Sequence, residues 1–139
     1  MKKKVISYVL EFGIARPAAA ARHFAAKLAV ECDPWDVYND LKNGAQDFVL
    51  VDARNPDLFA REHIPGSIHF WHREMTAATV KRLPKNKVIV LYCTGTGCNA
   101  APKAALKLSR LGFRVKEMTG GIVWWKERFG YPVSSGRGK

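Results

Sequence analysis

Apolar positions along the chain fall into two kinds of block, one spaced three to four residues apart and one continuous over four or five residues. The first spacing is that of a helix with one buried face, and the second is that of a strand covered on both sides. Pro17 to Val30 carries Phe24, Leu28 and several alanines in helical register, with Pro at the first turn, and predicts a helix. Asp33-Pro34 reads as the cap and first residue of a second helix, which turns Trp35, Val37, Tyr38 and Leu41 inward and stops near Asn43-Gly44. Phe48 to Val51, ending in Asp52, and Val88 to Tyr92, ending in Cys93, predict two buried parallel strands. Pro56 to Glu62 and Met75 to Leu83 read as helices between them. Ala100 to Leu111 keeps Ala104, Ala105, Leu108 and Leu111 on one face and is ended by Gly112. Phe113 to Val115 predicts another strand, and Gly120-Gly121 opens a last aromatic helix through Phe129, which Gly130 and Pro132 stop. This alternation implies an α/β domain with a mainly parallel central sheet flanked by helices in three layers.

A chain of 139 residues, 47% hydrophobic and 25% charged, suits one such domain and excludes two. No apolar run approaches the roughly 20 residues that cross a bilayer, so no membrane association is expected. The net charge is +11, and it is uneven: residues 93–139 hold nine basic against two acidic groups, whereas residues 33–92 are balanced. A small anionic substrate is drawn to the C-terminal third. Nucleic acid is not expected as a partner, because the charge comes without a recognition motif or an interleaved aromatic and basic stretch. Three cysteines, Cys32, Cys93 and Cys98, do not make a disulfide framework and point to a reducing, cytoplasmic setting. Lys2 to Lys4 before Val5–Leu10, with Ala18–Ala21 beyond, mimic a signal peptide, but Glu11 interrupts the apolar stretch. We read this region as part of the domain or a leading arm.

The chemistry centres on Cys93. In a parallel sheet, ligands bind beyond the carboxyl ends of the strands, where loops run into helix N-termini. The segment Thr94-Gly95-Thr96-Gly97-Cys98-Asn99 after Cys93 lets successive amides converge on one point before a helix. Such a setting is expected to lower a cysteine pKa and make Cys93 a nucleophile, with Thr94 to Asn99 binding an anionic substrate. A lone cysteine at a strand end reads instead as a small buried hydrophobe; the strand, glycine loop and helix together favour the nucleophile.

At this point the chain resembles the rhodanese-like sulfurtransferase family. The resemblance rests on Val51-Asp52-Ala53-Arg54 with Phe59 and His63-Ile64-Pro65-Gly66-Ser67-Ile68, on Val90-Leu91-Tyr92-Cys93, and on Leu111-Gly112-Phe113 followed by Gly120-Gly121-Ile122-Val123-Trp124-Trp125. It covers about residues 33–133, leaving residues 1–32 as an N-terminal helical extension and 134–139 as a flexible tail. It implies a single-domain enzyme that takes sulfane sulfur from thiosulfate, polysulfide or a persulfide, holds it on Cys93, and passes it to a thiol, a thioredoxin-like protein or cyanide, without a cofactor. The alternative is a non-catalytic or redox-regulatory module of the same fold that uses the Cys93 and Cys98 pair as a sulfur carrier or interaction device.

Two departures bear on this reading. The commonest family loop closes with an arginine where this chain has Cys98, and 18 residues separate Cys93 from Gly112, more than the family pattern has. A phosphatase of the same fold needs an arginine at the position of Asn99 to clamp phosphate, and is not expected on that ground. Cys98 either resolves an oxidised or persulfidated Cys93 through a disulfide or packs under the loop as a small apolar residue. Asp52 and Arg54 read as supporting groups that shape the pocket, His63 as a turn residue, and Trp124 and Trp125 as core and pocket wall. The four histidines lack a ligand-like spacing to the cysteines, so no metal is expected.

Overall fold

The computed structural model describes residues 1–137. Five strands form one sheet: β1 (Glu31–Cys32), β2 (Phe48–Asp52), β3 (Ile68–His69), β4 (Val88–Tyr92) and β5 (Val115–Met118). They stand in the order β1-β5-β4-β2-β3, and every pair is parallel. Alternate side chains of a strand point to opposite faces, and each face of this sheet has its own core. Ile89, Leu91 and Cys93 join Val51 and Ala53 under the helix α4 (Ala100–Arg110), which contributes Ala101, Ala104 and Leu108. Val90 and Tyr92 join Leu50 on the other face, with Val37 of the helix α2 (Pro34–Lys42) and with Ile122 and Trp125. Burial of each large apolar side chain stabilises by about 1.5–3 kcal/mol, so the two continuous runs serve both cores at once. That is why neither shows the alternation of a half-exposed strand.

The element ends follow local chemistry. Asp33 caps α2 through a reciprocal pair, accepting from the Asp36 amide at 2.9 Å while the Asp36 carboxylate accepts from the Asp33 amide at 3.1 Å. Gly112, at φ +88°, ends α4: its amide donates to Ser109 O at 3.0 Å and the Phe113 amide to Leu108 O at 3.0 Å. Phe113 is thereby consumed in the helix stop, and the strand expected from residue 113 begins at Val115 instead.

Other expectations are corrected. Trp35 is 57% exposed, because Pro34, Val37, Tyr38 and Leu41 form the inward stripe and Trp35 falls beside it. Met75 to Leu83 is not a helix but lies among two short tight turns, His72–Glu74 and Thr79–Arg82. There the Thr79 hydroxyl donates to Glu74 O at 2.7 Å and accepts from the Thr76 amide at 2.8 Å, giving the backbone partners other than a helix. The last helix runs from Gly121 to Arg128 as expected, but only its first turn, α5 (Gly121–Val123), is α-helical, and it widens into a π turn over Trp124–Arg128. A further helix, α3 (Pro56–Arg61), is capped by the Asn55 side chain, which accepts from the Leu58 amide at 2.9 Å.

The N-terminal helix α1 (Pro17–Val30) has the expected extent but buries none of its residues; Phe24 and Leu28 are exposed. Lys116 Nζ donates to Leu28 O at 2.9 Å and ties its end to β5. The extension does not stop outside the domain, because Glu31 and Cys32 pair with Glu117 and Met118 as the sheet's edge strand. At the other end, Ser134 exchanges 2.8 Å backbone bonds with His63, and the Gly136 amide donates to Ala60 O at 2.7 Å. The expected flexible tail is thus tied down as far as Gly136, and residues 138 and 139 lie outside the described residues.

Candidate active site

The strand order places the chemistry. From β2 the chain passes outward to β3, and from β4 it passes outward in the opposite direction to β5. The loops leaving the carboxyl ends of β2 and β4 therefore diverge and open a crevice between them. Asp52-Ala53-Arg54 stands on one side of it and Cys93 to Asn99 on the other.

The stem of the second loop is clamped. The Ile122 amide donates to Cys93 O at 3.0 Å and the Val123 amide to Thr94 O at 2.9 Å. This contact needs glycine at 121, where φ is +60° and a Cβ would stand 2.4 Å from Cys93 O. Beyond the stem the Cys98 amide donates to Gly95 O at 3.1 Å, folding the loop back so that Cys93 Sγ–H donates to Cys98 O at 3.4 Å.

Among the neighbouring amides, that of Ala101 favours the Cys93 thiolate, and those of Ala100 and Thr94 favour the Cys98 thiolate. Ala100 and Ala101 open α4, where backbone N–H groups have no partner within the helix. They were not among the expected binding residues, although a helix start at Ala100 was legible and free amides follow from it. Of the expected residues, Gly95 turns the loop, Thr96 and Gly97 are exposed on its rim, and Asn99 sits exposed at the start of α4 without a capping bond.

The two sulfurs sit in different surroundings. Burial, which leaves Cys93 4% exposed, pushes its thiol up from the ordinary 9.0 to about 12 despite the Ala101 amide. Burial also disfavours the Cys98 thiolate, but the Ala100 and Thr94 amides, the Cys93 thiol and the Arg54 charge outweigh it and hold Cys98 below the ordinary value. Cys98 is half-buried, so less of its solvation is lost. Cys32, the third cysteine, is pushed up to about 12 by burial and by Asp36, and its thiol donates to Glu117 O at 3.7 Å.

Asp52 and Arg54 form a forked ion pair under the crevice. Arg54 Nε lies 3.0 and 3.1 Å from the two carboxylate oxygens, and Nη2 donates to Oδ2 at 2.7 Å and to Glu62 O at 2.6 Å. The Arg54 amide adds a bond to Asp52 Oδ1 at 2.9 Å. Burial works against the guanidinium charge, but Asp52 outweighs it and raises the Arg54 pKa. His63 stacks on Phe59 at 3.8 Å and its Nδ1–H donates to Phe59 O at 2.8 Å, the turn role its motif suggested. Trp125 is buried core, while Trp124 lines a cavity beside the loop. Among the described residues, no group of three or more His, Cys, Asp or Glu side chains could hold a metal ion, and no helix is long and apolar enough to cross a membrane.

Three cavities meet at the loop. Cys93 and Cys98 line one of about 230 Å³ with Gly120 and Gly121. Cys98 also lines one of about 420 Å³ against Trp124, and one of about 350 Å³ in the crevice with Arg54, Arg73 and Lys103. A larger cavity of about 610 Å³ lies beside α2 at the amino ends of β2 and β4, away from both loop cysteines.

Comparison with known proteins agrees with this architecture. The model of the rhodanese-like domain family matches residues 33–128. The thiosulfate sulfurtransferase GlpE of Pseudomonas syringae pv. syringae is 33% identical over 85 residues, covering 60% of this chain and 77% of that protein. The HTH-type transcriptional regulator Rv0324 of Mycobacterium tuberculosis is 34% identical over 92 residues, 66% of this chain but 40% of the regulator, so this chain spans less than half its length. The crystal structure of the BH2092 protein of Bacillus halodurans superposes with a TM-score of 0.83 at 41% identity, over 86% of this chain and 87% of that one.

Proposed function

The chain belongs to the rhodanese-like domain family, and from that premise we propose that it is a sulfurtransferase which carries sulfane sulfur on Cys93. One observation carries the reading: Cys93 leaves β4 just before the start of α4, and the loop folds Cys98 back over it so that Cys93 Sγ–H donates to Cys98 O at 3.4 Å and both cysteines line one cavity. A buried thiol is a poor nucleophile until it loses its proton. Cys93 gives up its proton to bulk base, with the Ala101 amide favouring the thiolate, and the thiolate so formed attacks the outer sulfur of the donor. The bond between the donor's two sulfurs breaks, sulfite or a thiolate departs with the electron pair, and the outer sulfur stays as a Cys93 persulfide. The Ala101 amide faces this sulfur centre. A thiol, a thioredoxin-like protein or cyanide then takes the outer sulfur and returns Cys93 to the thiolate.

Donor choice follows from the loop's composition. With Cys98 in place of a loop arginine, a small oxyanion meets no guanidinium fork within the loop. We expect thiosulfate to be a poor donor with a high Michaelis constant, and polysulfide or a protein persulfide to be better. Cytoplasmic chemistry between soluble thiols suits this reading. The deciding experiment is cyanide-dependent thiocyanate formation from both donor types, by wild type and by Cys93→Ser. Loss of turnover in the variant is expected; equal turnover overturns the assignment of Cys93.

A second reading rests on the similarity to a transcriptional regulator together with the paired cysteines. In it the domain is a redox-regulatory module whose cysteine pair oxidises and reduces without turnover. Thiocyanate formation by wild type but not Cys93→Ser decides against it.

A further inference from the structure

The geometry of the two loop cysteines carries the sulfur chemistry one step beyond transfer, resting on the proposal that Cys93 takes up sulfane sulfur. Three observations bear on it. The turn from Gly95 O to the Cys98 amide brings residue 98 back over residue 93, so that Cys93 Sγ lies 3.4 Å from Cys98 O. Both sulfurs face the same small cavity of about 230 Å³. Cys98 alone continues into the crevice between the β2 and β4 loops, a cavity of about 350 Å³. A persulfide on Cys93 is therefore born beside a second sulfur that has its own access to the outside.

We propose that Cys98 resolves the Cys93 persulfide, releasing the bound sulfur as sulfide and leaving a Cys93–Cys98 disulfide that an external anionic thiol reopens from the crevice. Cys98 Sγ as thiolate attacks Cys93 Sγ, the inner sulfur. The bond between the inner and outer sulfurs breaks, and the outer sulfur leaves as hydrosulfide with the electron pair. The outer sulfur is reduced by two electrons, and the two cysteines together supply them by becoming a disulfide. One equivalent of external thiol then attacks Cys98 Sγ, giving a mixed disulfide and freeing the Cys93 thiolate. A second equivalent displaces the first as a symmetrical disulfide and restores the Cys98 thiol. Per turnover one persulfide sulfur becomes sulfide and two thiols become one disulfide, so the balance closes on the donor's sulfur and the external thiol.

The roles are not interchangeable. Cys93 is buried and reachable through the shared cavity, whereas Cys98 is half-buried and lines the crevice. An attacking thiol approaching along the crevice meets Cys98 first. The crevice is also cationic: Arg54, Arg73, His72 and Lys103 line it, and no acidic side chain is among its lining residues. Arg54 is neutralised by Asp52, which leaves Arg73 and Lys103 as the charges offered to a ligand. The low pKa side of the pair agrees with this order, since Cys98 is held below the ordinary thiol value and Cys93 above it. Burial and the three neighbouring cations Lys107, Lys103 and Arg73 likewise push the His72 pKa down, a sign of a concentrated positive field. A thiol that carries carboxylates, for which glutathione is the probe, is favoured there over a neutral one.

The experiment is a single loading of the full chain with thiosulfate or with a low-mass organic persulfide, no acceptor being present. Sulfite or thiol release counts loading, sulfide release counts resolution, and intact mass after alkylation identifies the product. Wild type is expected to release one sulfide per sulfur loaded and to end two hydrogens lighter than the dithiol. Cys98→Ser and Cys98→Ala are expected to release none and to stay heavier by one sulfur atom at Cys93. A wild type that retains the extra sulfur and releases no sulfide overturns the resolving role while leaving sulfur transfer intact, and this outcome needs no variant. Failure of wild type and both variants to load from either donor overturns sulfur transfer itself, and the resolving step with it. In the second half, reopening of the wild-type disulfide is timed with glutathione and with 2-mercaptoethanol. Lys103→Glu is expected to slow glutathione several-fold more than 2-mercaptoethanol; an equal effect on both overturns the crevice as the thiol's entry.

Discussion

At the scale of single residues, the balance between burial and hydrogen bonding decides what each polar group does. Asp52 is fully buried and faces Arg54 with several hydrogen bonds, so its value lies less in the attraction than in the cost of breaking it. Asp52→Ala leaves a buried guanidinium unpaired and is expected to lower stability by about 3–5 kcal/mol in urea unfolding. Sulfur loading should survive at temperatures where the variant remains folded. Unchanged unfolding with complete loss of loading would make Asp52 a participant in the reaction instead. The cysteines obey the same balance. Cys98 is expected to be alkylated by iodoacetamide before Cys93, and to keep reacting as the pH falls below 9, because its thiol is held below that value while Cys93 rises to about 12. Peptide mapping of a time course reads the order, and first labelling at Cys93 would refute it.

At the scale of elements, the loop after β4 is positioned by what clamps it rather than by its own sequence. The contact that holds its stem is made to backbone atoms and comes from Gly120-Gly121 and the residues after them. Gly121 brings its backbone against Cys93 O and Thr94 C, where a Cβ would stand at 2.4 and 2.6 Å. Gly121→Ala must both adopt a left-handed backbone and displace the loop stem, and is expected to cost about 2–4 kcal/mol. Its sulfur-loading rate should fall as well, since the Ile122 and Val123 amides move with the stem. Wild-type unfolding and loading in this variant would show that the stem is not set by the clamp. Gly97→Ala is the control, because nothing lies within 4 Å of a Cβ there.

At the scale of the whole molecule, stability resides in the two cores on the faces of the sheet, and the N-terminal region stands apart from both. Residues 1–16 are exposed throughout, so their deletion is expected to change unfolding free energy by less than about 0.5 kcal/mol. A larger loss in thermal or urea unfolding would reveal a role for them in the fold. The pH dependence is also a property of the whole. Cys32 and Cys93 have folded pKa values raised from 9.0 to about 12, so the native state holds their protons more tightly than the unfolded chain does. The stability they contribute is complete below pH 9 and is lost as the pH rises toward 12. Cys98 shifts the other way and has reached its full contribution by the same pH 9, so it does not offset the loss. Urea unfolding should weaken progressively above that point, and less steeply in Cys32→Ala; identical slopes would place the alkaline transition elsewhere.

Much of this molecule is legible in the order of its residues. The continuous apolar runs of β2 and β4, the caps at Asp33 and Gly112, and Cys93 at a strand end before a helix all express local rules acting over a few neighbouring positions. Tertiary structure decided what those rules do not reach. β1 and β3 are two residues each, too short to show a period, and exist because a neighbouring strand offers its edge. Trp35 and α1 looked inward by spacing but have no surface to cover. The cysteine pair shows the division most plainly. Its five-residue spacing is in the chain, but which sulfur keeps its proton depends on how deeply each is buried and which amides face it, and both are properties of the packed loop rather than of the segment.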